Sequence, residues 1–434
     1  MIQDWIVSVT PSANSQKIFQ AIDYDDFVIK RTQYYDLPSE HKQRFKGLDD
    51  YISKQGGPEL DSLRKNYIRL RDEIDEQIKT DNMFETFEID MFDYGLEIQD
   101  LLSSLEEESH IKETYKIKKL CVKKSGLNTS DTNVVIDCIR QGRSLLQAGL
   151  EAEMLAKPLI DFYAASAYAY AIIVLNSPLH KSLDSLKGSH GHTYNHHTKT
   201  VDFGGDIPSG TFIDLLLALS VENIIQHNRQ MISFKYSTLS SVDLVQNNKI
   251  SISLVPLLSM VPELSNHFEK LDSTHKNVHK LNIDTGVNNG KIRYNFYIGD
   301  GSRKPSRENI AACFCTEIIN EDQGNYIVSI DSDKIGLICP QIYQDMYGDL
   351  WYIESPIKGF HLPELCLHFL IISVLCNIMR YSPHEWSDIL TNRTSSRFSL
   401  VINQYIRIFE RKFPLLVARY LSNYNMIIKS QVRI

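Results

Sequence analysis

DTNVVIDCIRQGRSLLQAGLEAEMLAKPLIDFYAASAYAYAIIVLNS, residues 131–177, has glycine only at 142 and 149 and proline only at 158. Aliphatic, alanine and aromatic positions recur through it at helical spacing, which predicts helix along its length. Proline lacks an amide hydrogen and clashes with the preceding turn, so the stretch reads as two helices or one helix bent near Pro158. The alanines allow close helix approach, and Phe162, Tyr163, Tyr168 and Tyr170 fill gaps between helices or face a pocket. The segment sets the expectation of a mainly α fold.

Two further helical regions lie towards the C-terminus. Leu362 to Tyr381 is one long apolar run interrupted by Pro363, Glu364 and His368, and Pro383 ends it. Those polar positions favour a buried core helix over a membrane span. A mixed helix follows from Ser396 to Leu421. Upstream, 58–80 has the spacing of an amphipathic helix, and 83–110 reads as further helical packing. Between them, 188–210 is polar and glycine-containing and reads as a loop with short strands, followed by a return to helix at TFIDLLLALSVENIIQHNRQ. KIRYNFYI and NYIVSI are strand-like, and Val261 to Leu271 suggests a helix. The organisation expected is an N-terminal helical extension over 1–125 and a helical core over 126–420. The core holds a small mixed α/β insertion around 230–350, and 421–434 forms a C-terminal tail.

Composition narrows the function classes. The chain has 434 residues, 43% hydrophobic and 23% charged, with a formal net charge of −8 and a pI near 6.0. That balance supports a normal core and argues against a globally basic nucleic-acid binder, although a local basic patch is compatible with it. Seven scattered cysteines form no disulfide framework, and Cys313 and Cys315 lack C-x-x-C spacing, which suits reduced thiols. The opening MIQDWIVSVTPS has no basic segment followed by an apolar run, so neither a signal peptide nor an N-terminal anchor is expected. The cytoplasm is the expected compartment.

GSHGHTYNHH, 188–197, holds four histidines in ten positions. His190 and His192 can converge in an extended loop, whereas adjacent His196 and His197 point apart. No HExxH helix or cysteine set accompanies them, so a hydrogen-bonded loop is favoured over a ligand pocket, and a pocket over a metal site. No metal and no cofactor is assigned. RYSPHEW, 380–386, offers Arg380 for a phosphate or carboxylate and His384 for proton exchange, beside Pro383 and Trp386 as turn and packing residues. Lys116, Lys118, Lys119, Lys123 and Lys124 can form a phosphate-facing strip near Tyr115, or keep a connection solvated. Asp202 and Asp206 read as solvated loop carboxylates. GGDIPSG matches no phosphate-binding loop, and no linear Ser/His/Asp or Cys/His triad appears. The arginine–histidine spacing of HEPN ribonucleases is absent too.

The text RQGRSLLQAGLEAEMLAKPLIDFYAASAYAYAIIVLN, then SHGHTY, then SPIKGFHLPELCLHFLIISVLCNIMRYSPHEW resembles the bacterial YaaC-like family over roughly 135–420. Arg143 and Pro158, His190 and Gly191, then Arg380, Tyr381, Pro383 and Trp386 carry the resemblance, with FPLL at 413–416 supporting the final region. The resemblance carries no settled reaction. Some members look like components of antiviral defence modules. With the acidic, aromatic N-terminal extension as an exposed interface beyond the YaaC-like core, the expected role is an intracellular interaction or regulatory component that contacts another protein, in an oligomeric state the sequence leaves open. The alternative is a partner-activated nucleic-acid-processing effector with a composite pocket from the 190 region, Arg380 and His384. Arg143 joins His190, His192, Arg380 and His384 as a pocket candidate.

Overall fold

A computed structural model describes most of residues 86–118 and 126–429, which belong to one compact unit. The expected helix over 58–80 lies outside the described residues, as does most of the N-terminal extension. The described chain begins with β1 (Thr86–Asp90), α1 (Tyr94–Ser104) and α2 (Glu108–Lys118). The central hairpin follows as α3 (Thr129–Glu151) and α4 (Lys157–Asn176).

The 131–177 stretch is therefore two helices, and their ends show why. The Asn128 side chain accepts the Asp131 amide at 2.8 Å and caps α3. Pro158 sits in the first turn of α4, where its missing amide hydrogen costs nothing. Lys157 donates to the carbonyls of Gly149 and Leu150 at 2.6 and 3.2 Å, covering the C-terminus of α3. The hairpin closes on small residues: the Tyr168 ring lies where a Cβ on Gly142 would stand, and the Asp161 carboxyl lies where a Cβ on Gly149 would stand.

The middle of the chain contributes β2 (Thr193–Asn195), β3 (Thr200–Gly204), α5 (Thr211–Ala218), β4 (Glu222–His227) and β5 (Gln230–Lys235). It continues with β6 (Lys249–Ser253), α6 (Leu254–Leu258), α7 (Ser265–Leu271), β7 (Val278–Asn288) and β8 (Lys291–Ile298). Then come α8 (Arg307–Phe314), β9 (Ile319–Asp322), β10 (Asn325–Asp331), β11 (Ile342–Gln344) and β12 (Leu350–Ile353). The helix expected beyond Ala218 stops there: 222–227 pairs with 230–235 as an antiparallel hairpin, whose partner strand follows immediately. The mixed insertion is built on an antiparallel sheet of order β11-β12-β7-β8-β10-β9. Alternate residues Leu281 and Ile283, Phe296 and Ile298, and Val328 and Ile330 bury one face against Ile310, Cys313 and Phe314 of α8.

The last helices are α9 (Glu364–Tyr381), α10 (Pro383–Leu390) and α11 (Ser396–Leu421), followed by β13 (Asn425–Lys429). α4 and α9 are long and apolar enough to cross a membrane, but 78% of each apolar window is buried inside the protein, as in core helices. α4 packs against α3, α5, α9 and α11, and these helices share the larger hydrophobic core. Part of 83–110, expected to be helical, is instead β1, which pairs in parallel with β13 from Thr86↔Asn425 to Asp90↔Lys429. Ile89 is buried there, and the partner strand comes from the stretch expected to be only a tail.

Candidate functional site

The histidine loop lies along the second half of α9. His192 is buried, donating from Nδ1 to the His190 carbonyl at 3.0 Å and accepting at Nε2 from the Ser373 hydroxyl at 2.5 Å. Asn377, one turn beyond Ser373, donates to the Ser373 carbonyl at 2.8 Å. Phe162, Phe212 and Phe369 meet the His192 ring nearly edge-on. Burial, helped by the neighbouring His190, holds the protonation of His192 down to about 4. A neutral imidazole with both nitrogens engaged is a clasp between loop and helix. A serine–histidine pair of this kind lacks the basicity to activate the Ser373 hydroxyl near neutral pH.

Two glycines let the loop reach α9. Gly191 has φ +76° and Gly210 has φ +134°, and a Cβ on either would press into the other's backbone. Their contact brings the amides of Thr211 and Phe212 onto the carbonyls of Ser189 and His190, at 3.0 and 2.9 Å. Farther along, His196 stacks edge-on with Tyr194 and Tyr381, and Lys199 pairs with Glu385 at 2.6 Å. The loop thus runs from Ser373 to the first turn of α10.

This arrangement brings two of the expected site residues together. His190 is exposed, its ring 5.0 Å from Phe162, and burial of part of the ring and the charge of Arg380 lower its protonation. Arg380 is exposed, with its guanidinium 4.9 Å from the Tyr381 ring, and its charge partly offsets the burial that raises the Cys376 thiol. The other candidates lie elsewhere. Arg143 pairs with Glu106 at 2.8 Å, next to buried Tyr168, and His384 pairs with Asp388 at 3.1 Å along its own helix. Lys116 and Lys118 lie on α2, while Lys119, Lys123 and Lys124 fall outside the described residues. Asp202 is a largely buried acceptor for Thr200 and Ser251, and hydrogen bonding outweighs burial to hold its carboxyl below the usual range. Asp206 lies outside the described residues.

Around this junction three large apolar side chains face solvent: Leu155 is 60% exposed, Tyr163 47% and Tyr381 58%. They are tied to one end of the bundle. The buried Trp386 indole donates to the Leu155 carbonyl at 3.2 Å, Tyr163 adjoins Phe162, and Tyr381 meets His196. Nearby charges are mostly paired, Lys199 with Glu385, and His384 and Arg393 with Asp388. Exposed Leu155, Tyr163 and Tyr381 are thus each linked to the loop, α9 or α10, at the end that also carries exposed Arg380, His190 and His196.

Sequence reasoning missed a second constellation, inside the core. Lys412 of α11 is fully buried between Glu263 at 2.6 Å and Glu364 at 2.5 Å, and the two carboxylates hold its ammonium charged against the cost of burial. The same Glu263 oxygen accepts the Met346 amide at 3.1 Å. His368, one turn beyond Glu364, stacks on Tyr405 and accepts or donates at Nδ1 to its hydroxyl at 3.3 Å, while burial and Lys412 keep the ring neutral. Asp161 is buried beside the Lys157–Glu410 pair with no hydrogen bond to either carboxyl oxygen, and burial, then Glu410, pushes its carboxyl up to about 8. Glu364 and His368, four apart in an apolar run, were the sequence signal for this cluster.

Among the described residues, no group of three or more His, Cys, Asp or Glu side chains is placed to hold a metal ion. Cys138, Cys313, Cys366 and Cys376 are free thiols. The model of the YaaC-like protein family matches residues 101–421. No curated protein and no solved structure matches the chain.

Proposed function

The chain belongs to the YaaC-like protein family, and on that footing we propose that it is a protein-interaction component that docks a partner on the loop-covered end of its bundle. The observation that carries this reading is the grouping of exposed Leu155, Tyr163 and Tyr381 with Arg380 around a loop held rigidly on α9. Tyrosine and arginine are among the side chains enriched in binding surfaces, and contiguous exposed apolar patches rimmed by polar groups mark such surfaces. The setting proposed is a cytoplasmic regulatory role in a bacterial antiviral defence assembly, the role suggested by the family resemblance. The test is native purification of the wild type and of a Leu155→Ser/Tyr163→Ala variant from cells that encode the protein. A partner retained by the first and lost by the folded second supports docking; equal retention removes it.

One observation favours a second reading, a partner-activated nucleic-acid-processing effector: the loop sets His190 within the influence of Arg380's charge. Its support is thinner, because His192 is a neutral clasp and His384 is paired along α10. Cleavage of RNA or of single- or double-stranded DNA by the assembled complex, abolished in folded Arg380→Ala and His190→Ala variants, would establish it. Absence of turnover in that complex leaves the interaction reading.

A further inference from the structure

We infer that Arg380, with the neighbouring His190, is a binding point for an anionic group, a carboxylate or a phosphate, at the loop-covered end of the bundle. The inference rests on reading that end as a recognition surface and names the chemistry it selects. Three observations carry it. First, Arg380 is exposed and no carboxylate stands in ion-pair range of it among the described residues. The carboxylates closest along the chain are already engaged: Glu385 by Lys199, and Asp388 by His384 and Arg393. Among the described residues, no carboxylate thus compensates the charge of Arg380.

Second, the guanidinium is positioned rather than free. It lies over the Tyr381 ring at 4.9 Å, and its charge partly offsets the burial that raises the thiol of Cys376 one turn back. A planar fork held on an aromatic face loses less freedom on meeting a two-oxygen acceptor than a mobile lysine would. Third, the histidine loop is fastened on both sides of Arg380. His192 bonds to Ser373 two turns before it, and His196 packs on Tyr381 just after it. His190 is held on the same loop by its carbonyl bonds to His192 and Phe212, the residue exposed but its ring partly buried against Phe162. An anion on Arg380 therefore meets a loop fastened on both sides, with His190 close enough for the arginine's charge to lower its protonation, and Tyr381 beside the guanidinium supplies apolar contact.

The full chain is titrated with inorganic phosphate and, separately, with glutarate, each against sodium chloride at matched ionic strength, and binding is read by calorimetry. Wild type, Arg380→Gln, His190→Gln and Arg407→Gln are compared. Arg407, exposed on α11, controls for loss of a surface charge. Saturable binding of at least one probe is expected, with affinity on the order of 1 mM, as suits a single exposed charged contact. It should weaken about tenfold or more in Arg380→Gln, less in His190→Gln and not at all in Arg407→Gln. Binding of phosphate alone assigns a phosphoryl source, and binding of glutarate alone assigns acidic side chains of a partner. No saturable binding beyond chloride, or equal binding by Arg380→Gln of unchanged circular dichroism, overturns the inference. That outcome leaves apolar docking through Leu155 and Tyr163 standing, since loss of a partner in their variants is read independently.

Discussion

Asp161 carries no hydrogen bond in the centre of a helix crossing, so its protonation state is a question of stability. Its carboxyl is held near 8 in the fold, while an unfolded aspartate titrates near ~3.9. The folded chain thus binds the extra proton between those values, and stability falls as pH rises through that window. Replacement of Asp161 by Asn keeps the neutral shape. From pH 6 to pH 8 the variant should gain roughly 2–3 kcal/mol on the wild type in urea denaturation, and a constant difference would show that the carboxyl is not buried as a neutral acid. Lys412 is the opposite case, a charge compensated by Glu263 and Glu364. Lys412→Met leaves two buried carboxylates facing each other and should cost about 3–5 kcal/mol of unfolding free energy, as truncation of one partner in a buried pair does. Neither residue was legible in the sequence. A lysine beside Arg411 and Glu410 reads as a solvated helix face, and only the packing of α11 against α9 and Glu263 turns it inward. The histidine loop was expected to be a hydrogen-bonded connection, with His190 and Gly191 as the residues that carry the family resemblance. His192 is the residue that fastens it, because strand-like alternation along 190–194 sends that side chain into the core.

At the scale of elements, the α3–α4 hairpin depends on glycine where helix propensity would favour alanine. Gly142→Ala should gain about 1 kcal/mol of intrinsic propensity and lose more, since its Cβ would sit 2.8–2.9 Å from three Tyr168 ring carbons. A net loss of about 1–3 kcal/mol in thermal or urea unfolding is expected; a stabilised variant would mean that the helices part easily there. Ser373→Ala strands Nε2 of His192 and should cost about 1–3 kcal/mol, with faster amide exchange over 188–196. The long apolar helices, their boundaries at Pro158 and Pro383, and the strands at 291–298 and 325–331 were all legible, because each pattern is local. The β1–β13 pairing was not. Five residues with Phe87 and Ile89 alternating against polar neighbours sit beside a helical pattern, and the partner strand lies at the far end of the chain.

Across the whole described unit, the helices, the insertion sheet and the terminal strand pair converge on one bundle whose ends differ. Near the insertion, Glu263 and Gln344 are tied to Lys412 and Arg419, so that end is joined by polar bonds inside the fold. At the other, the histidine loop is clamped on α9 while Leu155, Tyr163, Tyr381 and Arg380 remain turned to solvent. Local sequence patterns could not reveal that grouping, since the four residues come from the α3–α4 link, α4 and the end of α9. The proposed docking role depends on this grouping at the loop-covered end. The most direct measurement is hydrogen–deuterium exchange of the full chain with and without the partner that co-purifies with it. Protection is expected over 153–164, 188–197 and 379–388, with the insertion sheet unchanged. Protection confined to the sheet or to α11, with the loop-covered end exchanging as in the free chain, would contradict the account.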